Sequence, residues 1–200
     1  LCGSVPNPKH KAHILSSGGK IVKKGIIVLA VLLCWLLIFF NCANYKITHK
    51  LEQPINQPSN CSIGEIRDQL PADFDEDDKP SLEHIDKFKD YLRIALIEKG
   101  IFRDVLLMNP EFEYQVTGGI LDFKKGSGFV RFLGLFGAGN AKVTATLRLE
   151  DRNTDEILFA GNFKQEVSSY MESGDKIFER VAKDFAKELS KQIKKLKEGK

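Results

Sequence analysis

Residues 26–40 read IIVLAVLLCWLLIFF, fifteen consecutive residues without a charged side chain. A run like this has no polar face to offer water, so it does not lie on the surface of a globular domain. Lys20, Lys23 and Lys24 stand just before it. A basic segment followed by an apolar core of about 7–15 residues is the pattern of an export signal. A permanent spanning helix usually needs roughly 20 apolar residues. Residues 1–41 contain five lysines and no carboxylate, which predicts that the N-terminal end stays in the cytoplasm and the chain beyond the run is exported.

The run is followed by Phe39-Phe40-Asn41-Cys42-Ala43-Asn44. This stretch resembles a bacterial lipoprotein signal, in which a cysteine closes the apolar core and becomes the lipidated first residue of the mature chain. It departs from the usual box at Phe39, where an aliphatic residue is common, and at Asn41, where a small one is. The resemblance implies lipidation at Cys42. Two other readings remain beside it: retention of the 26–40 segment as an uncleaved anchor helix, and ordinary signal cleavage. Initiation near Val22 would give a compact leader and is the expected start; a longer leader is the alternative. The expected location is the bacterial cell envelope, with the domain outside the cytoplasm and held to the membrane through Cys42 or the 26–40 helix. In a Gram-negative cell that membrane would be the outer one.

The formal net charge of +3 belongs to the leader. From Cys42 onward there are 25 lysines and arginines against 27 aspartates and glutamates. A slightly acidic domain has no overall field to attract a polyanion, so nucleic acid is not an expected partner. The four cysteines are Cys2, Cys34, Cys42 and Cys61. None forms a CxxC pair or has zinc-ligand spacing with histidine, so neither a metal nor another cofactor is expected.

Residues 42–60, rich in Asn, Gln and Pro toward their end, read as a tether. Tyr45, Ile47, His49 and Leu51 alternate, which admits a short edge strand there. A first strand comes next over 61–70, then an acidic loop punctuated by Pro71 and Pro80. Ser81 is positioned to cap a helix whose apolar stripe is Leu82, Ile85, Phe88, Leu92, Ala95 and Leu96, ended by Gly100. A short strand is expected over 102–108 and a longer one from Phe112 through Ile120. Gly118-Gly119 suggests a bulge or close backbone approach, and Leu121 and Phe123 shift the apolar parity as a bulge would. After a glycine-rich apolar stretch over 126–140, Val143, Ala145, Leu147 and Leu149 alternate with Thr144, Thr146, Arg148 and Glu150. A turn at 151–155 leads to a return strand with Ile157, Phe159, Phe163 and Val167 inward, a hairpin with one wet face. A final helix over about 175–197 carries Ile177, Val181, Phe185, Leu189, Ile193 and Leu196. The fold class is therefore α+β: a mixed, mainly antiparallel sheet with two amphipathic helices on one face, in a domain over 61–198.

Several of these pieces together resemble the bacterial domain-of-unknown-function family forty-four-ten. They are the helix running into Gly100-Ile101-Phe102, the strand with Val116-Thr117-Gly118-Gly119-Ile120, the run Leu133-Gly134-Leu135-Phe136-Gly137-Ala138-Gly139, the hairpin with Asp151 and Thr154, and the last helix. The resemblance covers more than half of the chain. Asp155 stands where the family's turn usually has glycine. The resemblance implies an exported lipoprotein of the envelope and no known reaction.

The candidate functional residues are few. Phe129, Phe132, Leu133, Leu135 and Phe136 read as an apolar flap meeting a partner or the membrane; the plainer reading folds them over the core. Cys61 reads as a redox thiol or as a small buried strand residue. Asp73, Asp75, Glu76, Asp77 and Asp78 suggest calcium, but a loop begun at Asp73 would have Asp78 and His84 where glycine and glutamate are needed. The sequence has no GxSxG elbow, phosphate-loop lysine or HExxH helix. The expectation is a non-enzymatic binding or assembly module whose partner is an envelope protein, with a carboxylate-dependent hydrolase or wall-modifying enzyme as the alternative.

Overall fold

The structure is a computed structural model that describes residues 45–55, 59–74, 79–126, 140–167 and 176–199. They form a six-stranded sheet with two helices: β1 (Tyr45–His49), β2 (Asn60–Asp68), α1 (Leu82–Glu98), β3 (Asp104–Leu107), β4 (Tyr114–Lys124), β5 (Ala141–Asp151), β6 (Glu156–Val167) and α2 (Lys176–Lys197). The strand order is β1-β6-β5-β4-β2-β3. Pairings from β1 through β4 are antiparallel, and β2 is parallel to both β4 and β3. Parallel neighbours need a crossover, and α1 supplies it between β2 and β3. The expected α+β class is what the structure has.

The local signals account for most boundaries. At the start of α1 the Ser81 hydroxyl accepts from the His84 N–H, and the Ser81 N–H donates back to His84 Nδ1 at 3.2 Å. This is a capping box with histidine in the place usually held by glutamate or glutamine. At the other end Gly100 takes φ +61°. Its N–H donates to the Ile97 carbonyl and that of Ile101 to the Leu96 carbonyl, which closes the helix in a Schellman motif with Ile101 buried. One face of the sheet and the apolar stripes of α1 and α2 form a single core. It contains Phe88, Leu92, Leu96, Ile63, Val116, Leu147, Leu149, Phe159, Phe163, Phe178 and Phe185, all fully or almost fully buried.

The parity shift in β4 is a bulge at Leu121, where the register to β5 skips one residue between Ile120 and Asp122. Gly118 marks a close approach: a Cβ there would stand 2.3 Å from the Thr146 carbonyl oxygen. A second skip, at Leu158 in β6, turns Ile157 to the outer face opposite Glu150, so Ile157 is exposed and not inward as the alternation predicts. Of the 42–60 stretch expected as a tether, residues 45–55 belong to the domain. Tyr45 and Ile47 pair with β6 as an edge strand, and Leu51 and Ile55 are buried in the core. Two apolar side chains seated in the core fix a segment that its polar composition describes as loose.

Candidate functional site

Cys42 and the five flap residues Phe129, Phe132, Leu133, Leu135 and Phe136 lie outside the described residues, as do Asp75, Glu76, Asp77 and Asp78. Cys61 is described and fully buried, with its thiol against the Ser62 carbonyl at 3.4 Å. Burial pushes the thiol well above its ordinary pKa. It is a small core residue and not a nucleophile, because the thiolate is the reactive form. His84 serves the α1 cap and lies beside the Phe123 and Phe178 rings.

The outer sheet face, away from the helices, carries the polar half of each alternation. On it a depression of about 230 Å3 is lined by Glu65, Arg67, Gln69, Thr117, Arg148 and Glu150. The register skip in β2 between Ile63 and Ile66 re-aims this end of the strand. Its charges are paired among themselves. Arg67 meets Glu65 at 2.6 Å, Arg148 meets Glu150 at 3.3 Å, and the Thr117 hydroxyl donates to Glu150 at 3.0 Å. Hydrogen bonding from Arg67 holds the Glu65 carboxyl below the usual range. A general acid needs the opposite shift. The chemistry offered is recognition by guanidinium, amide and hydroxyl groups. Elsewhere in β2 the hydroxyl of the buried Ser62 has no partner among the described residues.

Two further surfaces stand out. β3 is an edge strand, and Leu106, Leu107 and Met108 leave 47%, 44% and 65% of their surface in solvent. Met108 adopts φ +55°, a left-handed conformation unusual for a side chain of its size. On the helix side, a groove of about 400 Å3 is bordered by Lys99 after α1 and by Lys187, Lys191, Lys194 and Lys195 of α2, with Glu198 at its end.

Close to that groove is a contact that the sequence reading did not single out. Glu188 is 4% exposed and accepts from the Tyr45 phenol at 2.8 Å, from Gln192 at 3.0 Å and from Lys191 at 3.4 Å. Burial alone would raise its pKa; these donors and the Lys191 charge outweigh it and hold the carboxyl below the usual value. The signal was available, since Val181, Phe185, Glu188 and Gln192 follow the helical period along the buried stripe.

No protein-family model and no curated protein matches the chain, so the resemblance to family forty-four-ten stays an expectation. Solved structures do match in fold. PelC from Paraburkholderia phytofirmans, solved as a dodecamer, has a TM-score of 0.53 and 12% identity over 71% of this chain and 96% of its own. A Leu-to-Met variant of the same PelC, also a dodecamer, gives 0.51 at 12% identity over 71% and 95%. Protein XCC0632 from Xanthomonas campestris gives a looser 0.45 at 12% identity over 78% and 97%. At these identities the likeness is one of fold alone.

Proposed function

We propose that this chain is an exported lipoprotein, anchored at Cys42, whose domain is a non-enzymatic assembly module of the cell envelope and associates with further copies of itself. The observation that carries the reading is the β3 edge. An edge strand presents unpaired backbone groups, and natural edges are commonly blunted with charge or proline. Here the exposed Asp104 opens a four-residue strand, but Leu106 and Leu107 within it and Met108 just past it form an exposed apolar end. The opposite edge, β1, is also open in the six-stranded order, so β3 of one copy and β1 of the next can pair head to tail. Such heterologous contacts give a ring where the rotation between copies closes, and an open filament where it does not. The dodecameric state of PelC, which shares the fold, supports the same reading. The paired charges of the outer depression and the depressed Glu65 fit recognition better than acid catalysis.

The test is the mass of the full chain in detergent by light scattering. A multimer is expected, reduced to monomer by Leu106→Lys with Leu107→Lys while circular dichroism stays unchanged. A monomeric parent chain at micromolar concentration would remove the assembly reading. Metabolic labelling with a fatty acid, lost in Cys42→Ala, tests the anchor independently.

A further inference from the structure

The Lys99–Lys195 groove is not explained by the ordinary role of helix-end lysines. Lys194 and Lys195 lie in the last turn of α2 and suit the negative pole of its dipole. Lys187 and Lys191 are further up the helix, and Lys99 comes from a different element. Among the described residues no carboxylate pairs with Lys99, Lys187, Lys194 or Lys195. This surplus runs against the charge of the remainder of the chain, which from Cys42 onward is net acidic.

The groove also adjoins the place where the domain begins. Tyr45 opens β1, and its phenol bonds Glu188 Oε2, the oxygen that Lys191 also contacts. Lys187 and Lys191 flank Glu188 along α2. Only Ala43 and Asn44 separate Tyr45 from Cys42. Three residue steps of extended chain reach at most about 10 Å, close to the Debye length at ordinary salt. A domain tied that closely cannot stand clear of the lipid surface, and the side nearest the tie carries the lysines.

We infer that this groove docks on the anionic phosphate headgroups of the membrane that holds the anchor, orienting the domain with α2 toward the lipid. The inference rests on the anchoring part of the proposed function. Each lysine near an anionic surface contributes about a five-fold factor to such an equilibrium, so four or five of them make the docked orientation dominant.

The test uses the full chain reconstituted into vesicles of phosphatidylcholine, with or without 30% phosphatidylglycerol. Acetylation of individual lysines is read by mass spectrometry. With phosphatidylglycerol, Lys99, Lys187, Lys194 and Lys195 are expected to label about ten-fold more slowly than in pure phosphatidylcholine. High salt should abolish the difference, and the exposed Lys164 of β6 should not change. In the triple variant Lys187→Gln, Lys194→Gln, Lys195→Gln, which keeps the Lys191 contact to Glu188, Lys99 should label at the phosphatidylcholine rate. Equal labelling of the groove lysines in both vesicles, while the chain floats with both, would overturn the docking and leave the anchor standing. Flotation with the anionic vesicles alone would do the reverse, and flotation with neither would remove both.

Discussion

Replacing Tyr45 by phenylalanine removes one oxygen and tests how the first strand is held. The Tyr45 ring lies 5.8 Å from Phe163, centroid to centroid, and phenylalanine keeps that contact, so the apolar contribution is preserved. What is lost is a 2.8 Å hydrogen bond to a buried carboxylate. Bonds to charged groups contribute about 1.5–3 kcal/mol. Tyr45 is only half-buried, and Glu188 keeps Gln192 and Lys191, so the expected loss is at the low end, about 1.5 kcal/mol. The loss should depend on pH with a definite sign. The folded Glu188 pKa lies below its unfolded value, so its contribution is present above the unfolded carboxylate range and disappears as pH falls through the folded value. The Tyr45 pKa is raised, first by its bond to Glu188 and then by burial. Its contribution is therefore intact below the unfolded value near 10 and lost as pH rises through the folded one. Urea unfolding of the parent and variant chains at pH 7 reads the cost, and a series of lower pH values follows how it declines as Glu188 is protonated. A variant cost under about 0.5 kcal/mol at pH 7 would refute the assignment of Glu188 as a charged acceptor for the strand.

Asp155 sits at φ +57° in the β5–β6 turn, so Asp155→Gly should stabilise the domain by about 0.5–1 kcal/mol in the same urea assay, the glycine needing no left-handed strain. Gly118→Ala should cost about 2 kcal/mol or more, because its Cβ would lie 2.3 Å from the Thr146 carbonyl and 2.9 Å from Leu147; a normal unfolding midpoint would show that the β4–β5 approach is looser than described. Cys61 should resist alkylation by iodoacetamide in the folded chain and react only after unfolding, read by peptide mass, since burial keeps it as the thiol.

Much of the fold is written in local pattern. The α2 stripe, the β5 alternation and the α1 stripe from Ile85 onward fall on the core side, while Leu82, in the first turn of α1, is 80% exposed; Gly100 ends its helix where the sequence puts it. Even the β4 bulge shows as a parity shift at Leu121, because one extra residue reverses every side chain beyond it. The skip at Leu158 left a weaker trace. Ile157 and Phe159 both fit an inward alternation, and only pairing with β5 shows that one of them faces out.

The sequence by itself determined the identity of the helices and the strand hairpin, the polar outer face, and the split between a basic N-terminal stretch and a slightly acidic remainder. These come from period and composition, which act over a few residues. Only the tertiary structure decided that β2 lies between two parallel partners, that residues 45–55 are seated in the fold, and that Glu188 receives the phenol of Tyr45. It also brought Lys99 to the lysines of α2. Each of those depends on which distant segments meet, and that is set by packing two helices onto one sheet face, a choice no local stretch of this chain records.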